Sequence, residues 1–152
     1  MSVLVYTENW EGKFKKLSFE LVSYAAAAAK MMNTSVTALS VGKVDQEELM
    51  KLGSYGAQKI LNADGNIPEV LDNQYFTQVI AEAAVREGAT LIVMANNNTG
   101  KALAPRLSVR LKAGIGSGVS RLPLSINPFT VYKRAYSGNA FAHVTIKSDI
   151  RI

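Results

Sequence analysis

Residues 91–107 read Leu-Ile-Val-Met-Ala-Asn-Asn-Asn-Thr-Gly-Lys-Ala-Leu-Ala-Pro-Arg-Leu. An unbroken apolar run gives way to a polar turn, and apolar positions then return at helical spacing. The order is strand, loop, helix. Leu91 to Ala95 is apolar throughout, as expected of a central strand buried on both faces of a parallel sheet. The loop Asn96 to Lys101 that follows is the best ligand candidate in the chain. In open α/β sheets ligands sit at the carboxyl ends of strands. Helix N-termini there offer unpaired N–H groups and the positive end of a dipole to an anion. Asn98, Thr99, Gly100 and Lys101 are therefore the candidate anion-binding residues. Two features oppose a nucleotide site. Gly100 is the sole glycine where phosphate-binding loops use several, and Pro105 removes a donor and belongs in a first helical turn. A polar turn closing into a helix cap is the competing reading.

Upstream, strand-like and helix-like patterns alternate. Val3 to Thr7 is short, apolar and β-branched, a first buried strand. The loop Glu8 to Lys16 turns at Gly12, and Leu17-Ser18 opens a helix with Ser18 as N-cap and Leu17 stapled to Val22. Leu21, Ala25, Ala28 and Met32 share one face, and the alanine run Ala25 to Ala29 suits a helix lying close on a sheet. Ser35 to Val41 is a second strand, Gln46 to Leu52 a short helix ending toward Gly53, and Ala57 to Leu61 a third strand. Asn62 to Pro68 is turn chemistry with Asp64-Gly65-Asn66 at its tip. Asp72 or Asn73 caps the next helix, whose stripe is Phe76, Val79, Ile80, Ala83 and Ala84 and whose left-handed stop is Gly88.

Downstream of a helix at Leu103 to Leu111 the pattern changes. Val119 to Ile126 and Thr130 to Tyr136 flank the turn signal Asn127-Pro128, and Phe141 to Ile146 alternates strictly. Ala142, Val144 and Ile146 share one face; Phe141, His143 and Thr145 share the other. Successive strands without helices predict antiparallel pairing at the sheet edge. Gly114-Ile-Gly116-Ser-Gly118 looks like part of a dinucleotide fingerprint, but it follows a helix and precedes a strand. It reads as a helix stop and strand entry. Asp149-Ile150-Arg151-Ile152 resumes apolar alternation, so the chain is expected to end inside or just before a strand. The expected fold is α/β: a mostly parallel, three-layer sheet in one domain, residues 1–152, with an antiparallel extension at one edge.

Composition narrows the chemistry. The chain has 152 residues, 48% of them hydrophobic and 19% charged, which suits one soluble domain. Without cysteine it has no disulfide or thiolate chemistry, and His143, the one histidine, has no second histidine to share a metal. No serine sits in a nucleophile elbow, and no carboxylate pair lies in apolar surroundings. No apolar run reaches the ~20 residues of a membrane span, and the N-terminus enters a strand with no leader pattern, so a cytoplasmic location is expected. The net charge of +5 is scattered over Lys13, Lys15 and Lys16, Arg106, Arg110 and Lys112, and Lys133 and Arg134. That distribution argues against nucleic acid and leaves a solvated surface or a contact face for an acidic protein. Trp10 and Phe14 flank Gly12 in the basic loop, either as an exposed anchor or folded over the core.

Three stretches carry a family resemblance: Val3-Leu4-Val5-Tyr6-Thr7-Glu8 with Gly12-Lys13, then Gly100-Lys101-x-Leu103-x-Pro105-Arg106, then Tyr136-Ser137-Gly138-Asn139-Ala140. Together they resemble the N-terminal domain of the α subunit of electron transfer flavoproteins, over essentially the whole chain. The resemblance implies an adenine-nucleotide-hydrolase-like (Rossmann-like) fold. It implies a scaffold and β-subunit-docking role in a heterodimer whose FAD is held by a C-terminal domain outside this segment. Such proteins carry electrons from acyl-CoA or other dehydrogenases, as in fatty acid β-oxidation, to a membrane quinone oxidoreductase. No residue here would then be catalytic, and no cofactor is expected on this segment. The chain departs from the family where Lys133 replaces an arginine and Gly118 an acidic residue. If those two family residues pair, this chain lacks the pair. A free-standing adenine-nucleotide-binding module using Asn96 to Lys101 is the alternative from a different class.

Overall fold

The computed structural model describes residues 1–65, 67–68 and 72–152; Asn66, expected at a turn tip, lies outside the described residues. The elements run β1 (Ser2–Tyr6), β2 (Asn9–Trp10), β3 (Lys13–Phe14), α1 (Lys16–Met31), β4 (Ser35–Val41), α2 (Gln46–Ser54), β5 (Lys59–Ala63), α3 (Asn73–Arg86), β6 (Ala89–Val93), α4 (Asn98–Leu111), β7 (Ser125–Ile126), β8 (Phe129–Ala135) and β9 (Ala140–Thr145). A parallel four-stranded sheet has the order β5-β4-β1-β6. Because successive side chains point to opposite faces, each buried strand feeds two cores. Val3, Val5, Val36, Ala38 and Val93 pack with Val22, Ala25 and Ala28 of α1 and Leu52 of α2. Leu4, Leu39 and Ile92 pack with Ile80 of α3 and Leu103 and Leu107 of α4. The result is three layers, helix on sheet on helix. Ala25 and Ala28 are fully buried, which is what lets α1 lie close on the sheet.

The antiparallel strands form a sheet of their own, β7-β8-β9, with Val131 opposite Val144. Its inner face sends Phe129, Val131 and Ile146 into the first core, and Phe141, His143 and Thr145 are exposed on the other, as their alternation requires. The edge of the parallel sheet beside β6 is occupied by the last residues of the chain. The Ile92 N–H donates to the Arg151 carbonyl at 2.8 Å, and the Arg151 N–H donates to the Thr90 carbonyl at 3.0 Å. β6 is therefore flanked on both sides, by β1 and by Arg151, which makes isolated parallel bridges to Leu91 and Gly114.

Several element ends differ from expectation, each for a local reason. α1 starts at Lys16 behind Lys15, and Ser18 is no N-cap: it is buried within the first turn and its hydroxyl donates to the Glu8 carbonyl at 2.7 Å. Leu17 is 44% exposed, so no staple forms. Gly53 lies inside α2; the stop is Gly56, at φ +118. The Gly56 N–H donates to the Gly53 carbonyl and the Ala57 N–H to the Leu52 carbonyl, the paired bonds of a Schellman close. That close consumes Ala57, so β5 begins at Lys59 rather than Ala57. The fourth parallel strand spans Ala89–Val93 instead of Leu91 to Ala95, following directly on Gly88 at φ +60. Of the strand expected at Val119 to Ile126, only the Val119–Lys133 bridge and β7 pair. α4 stops at Lys112 in the left-handed region, so Gly114 is not its stop. A Cβ on Gly114 would instead collide with Ile146 and Ser148.

Candidate functional site

The strand order places β4 on one side of β1 and β6 on the other, so the connection reverses between β1 and β6. In sheets of this kind that reversal opens a crevice at the carboxyl ends, where ligands bind. Here the loop after β1 and the loop after β6 meet across it. The Asn97 side-chain N–H donates to Glu8 Oε1 at 2.8 Å, and Asn97 Oδ1 accepts from the Gly100 N–H at 2.9 Å. Asn97 is thus the N-cap of α4, and the helix begins at Asn98, not near Leu103. Pro105 consequently lies in the helix interior instead of its first turn. It leaves the Lys101 carbonyl without its helical partner on an exposed side, where water can serve.

Asn98, Thr99, Gly100 and Lys101 come together as the first turn of α4, with Asn98 and Lys101 exposed and Gly100 buried. One carboxylate, Glu8, is bonded to the residue that caps this turn. Glu8 stands at the mouth, and its charge adds to burial in pushing the Tyr6 phenol well above its ordinary pKa. A Cβ on Gly100 would overlap the Ala95 carbonyl oxygen, so the close approach of α4 to the loop after β6 by itself demands glycine there. Asn97 lay within the candidate loop but was not singled out as its cap, because the helix was expected to start later. Asparagine immediately before a helix was the available signal.

Elsewhere, Glu48 is buried on α2 and accepts from the Phe14 N–H at 2.9 Å, with Lys51 hydrogen-bonded to it and Lys13 at 3.9 Å. The Lys51 bond, then the Phe14 N–H, hold its carboxyl below the usual range. This group fastens the β2–β3 hairpin to α2. The two aromatics of that hairpin separate: Phe14 is buried in the core, while Trp10 is 66% exposed with Lys15 over its ring.

On the outer face of the antiparallel sheet, Phe141 stacks on Tyr132 with ring centroids 5.0 Å apart, and Arg121 covers Tyr132 at 4.5 Å. Phe141 is 60% and Tyr136 84% exposed. His143 lies beside Tyr132 on this exposed face. The residue bridged to Lys133 is Val119, not Gly118. Sequence reading did not foresee a mostly apolar groove of about 660 Å³ between the end of β6, α1, α4 and residues 115–119. Among the described residues no group of three His, Asp or Glu is placed to hold a metal, and no helix is long and apolar enough to cross a membrane.

Three relatives illustrate what the chain is similar to. It is 25% identical to the acryloyl-CoA reductase electron transfer subunit beta of Anaerotignum propionicum, covering 84% of this chain and 35% of that protein. It is 24% identical to the electron transfer flavoprotein subunit alpha of Clostridium acetobutylicum, covering 98% and 45%. It is 25% identical to a lactate dehydrogenase (NAD(+),ferredoxin) subunit of Acetobacterium woodii, covering 96% and 35%. The chain therefore spans less than half the length of these curated relatives. Among solved structures, a universal stress protein from Archaeoglobus fulgidus matches with a TM-score of 0.47 and 18% identity over 72% of this chain and 92% of that one. The electron transfer flavoprotein domain family matches residues 3–152, and the chain belongs to that family.

Proposed function

We propose that residues 1–152 form one scaffold domain, the N-terminal domain of an electron transfer flavoprotein α subunit, and that it works by docking a β subunit. The observation that carries this reading is the family match over residues 3–152, joined to an aromatic face that the fold leaves uncovered. Phe141 and Tyr136 supply exposed apolar area, and Lys133 and Arg134 stand beside them on β8. An apolar centre with charge at its rim suits a protein interface, since charge is excluded from a buried core while rim charges guide encounter. In the assembled protein one FAD is bound outside this segment. Electrons pass from dehydrogenases of the acyl-CoA type to a quinone oxidoreductase, and no residue in 1–152 is catalytic. The domain works in the cytoplasm and keeps its own crevice free of nucleotide, a reading supported by Glu8 at the crevice mouth and by the packing role of Gly100.

The test uses the full-length subunit co-expressed with its β subunit. Phe141→Glu or Tyr136→Glu lowers the amount of β subunit that co-purifies, while the thermal transition stays native. Undiminished co-purification with both variants would put the docking face elsewhere.

A further inference from the structure

Charge is divided unevenly along this chain. Residues 88–152 hold nine of the 17 lysines and arginines but only one of the 12 aspartates and glutamates, Asp149. Ion pairs among the described residues are made by Lys13, Lys16, Lys51 and Lys59, all before that stretch. Part of the cationic excess is organised on the outer face of β8 and β9. The Arg121 guanidinium covers the Tyr132 ring at 4.5 Å, and Tyr132 stacks on Phe141 at 5.0 Å. Phe141 in turn is the cross-strand partner of Arg134, which puts their Cβ atoms about 5 Å apart. The contacts thus run in a row, Arg121 to Tyr132 to Phe141 to Arg134, with both arginines exposed. A guanidinium laid on an aromatic ring has one face occupied and its edge free. That edge carries the N–H fork that fits a carboxylate through two parallel hydrogen bonds.

We propose that this row receives an acidic protein surface: an apolar side chain of the partner settles on Phe141, and carboxylates beside it pair with Arg121 and Arg134. The proposal names the partner chemistry of the docking face described above and rests on that reading. Its physical basis is complementarity. Arg121 and Arg134 make no ion pair with any described residue of their own chain, so a partner carboxylate replaces only water at each. Phe141, 60% exposed between them, supplies the apolar area that charge pairs alone lack. Nucleic acid fits this face less well. Bases bound on a sheet stack on free aromatic faces. Tyr132 is only 8% exposed, because Phe141 and Arg121 already cover it.

The test measures association of the full-length subunit with its β subunit by surface plasmon resonance, each variant first shown to keep its native thermal transition. Arg134→Glu lowers affinity by at least about tenfold. Arg110→Glu makes the same charge change on α4, in the layer across the parallel sheet, and leaves affinity within about twofold. The association rate of the natural protein falls by at least about tenfold between about 0.05 M and about 0.5 M NaCl. Arg134→Glu without loss, or an equal loss with Arg110→Glu, overturns the proposal. If Phe141→Glu weakens the complex while Arg134→Glu and salt do not, the docking reading stands and the acidic partner falls. If Phe141→Glu and Arg134→Glu both leave the complex intact, the docking face lies elsewhere and both readings fall. Single-stranded DNA or phosphatidylserine vesicles that bind the natural chain and are lost with Arg134→Glu would replace the acidic protein with a polyanion or a membrane, and so overturn the proposal as well.

Discussion

Asn97 and Glu8, 89 positions apart in sequence, are hydrogen-bonded side chain to side chain at 2.8 Å across the carboxyl end of the sheet. The contact ties the loop after β1 to the loop after β6 with the protein's own groups. It takes up one end of the Asn97 amide, and the cap on Gly100 takes up the other. A phosphate placed here would displace the cap and face a carboxylate.

Asn97→Ala therefore loses a cap and leaves Glu8 without its donor, and it should lower unfolding free energy by about 1–2 kcal/mol in urea titrations. Asn97→Asp keeps the cap acceptor but sets a second carboxylate against Glu8, so it should also destabilise. Adding Glu8→Gln to Asn97→Asp should recover stability, because the new amide can donate to the aspartate. Additive losses in that double-mutant cycle would show that the two side chains are not coupled.

Gly100→Ala should be far more damaging than a helix alanine normally is. The new methyl meets the Ala95 carbonyl oxygen, which is backbone and cannot swing aside. A loss of about 3 kcal/mol or more is expected from overpacking of this kind, read from the shift in urea midpoint. An unchanged midpoint would mean that Gly100 is there for some purpose other than packing.

Glu48 makes stability depend on acid. Its folded pKa is depressed, so its contribution is fully present above the ordinary glutamate value and is lost as pH falls through the folded value. Melting temperatures taken from about pH 6 down to about pH 3 should fall more steeply for the natural chain than for Glu48→Gln. Glutamine still offers an acceptor to the Phe14 N–H but has no proton to take up. Parallel curves would remove Glu48 from the acid response.

The sheet was legible because β1 and β6 are buried along nearly all their length and so keep apolar runs, Val3 to Tyr6 and Leu91 to Val93. The cap at Asp72 and the turn at Gly88 were legible for a similar reason: each is satisfied by bonds within a few residues. The strict alternation from Phe141 to Ile146 reported its two faces correctly. What failed depended on choices between neighbours. Gly53 and Gly56 offer equal local signals, and Gly56 is the stop because the Schellman bonds of α2 close there. The start of α4 was misplaced because Pro105 was given the first turn, whereas the Asn97 cap, supported by distant Glu8, sets the start at Asn98, five residues before the expected Leu103. The groove was invisible because its walls come from α1, β6, α4 and the antiparallel sheet, and no local pattern joins them.

The most direct test of the proposal that this domain is a scaffold without a nucleotide site is calorimetric titration of the 152-residue chain with ATP, AMP and FAD. The account predicts no saturable binding tighter than roughly 100 µM, about −5.5 kcal/mol, for any of the three. One-to-one binding tighter than that, weakened by Lys101→Ala, would contradict it and make the first turn of α4 a nucleotide site.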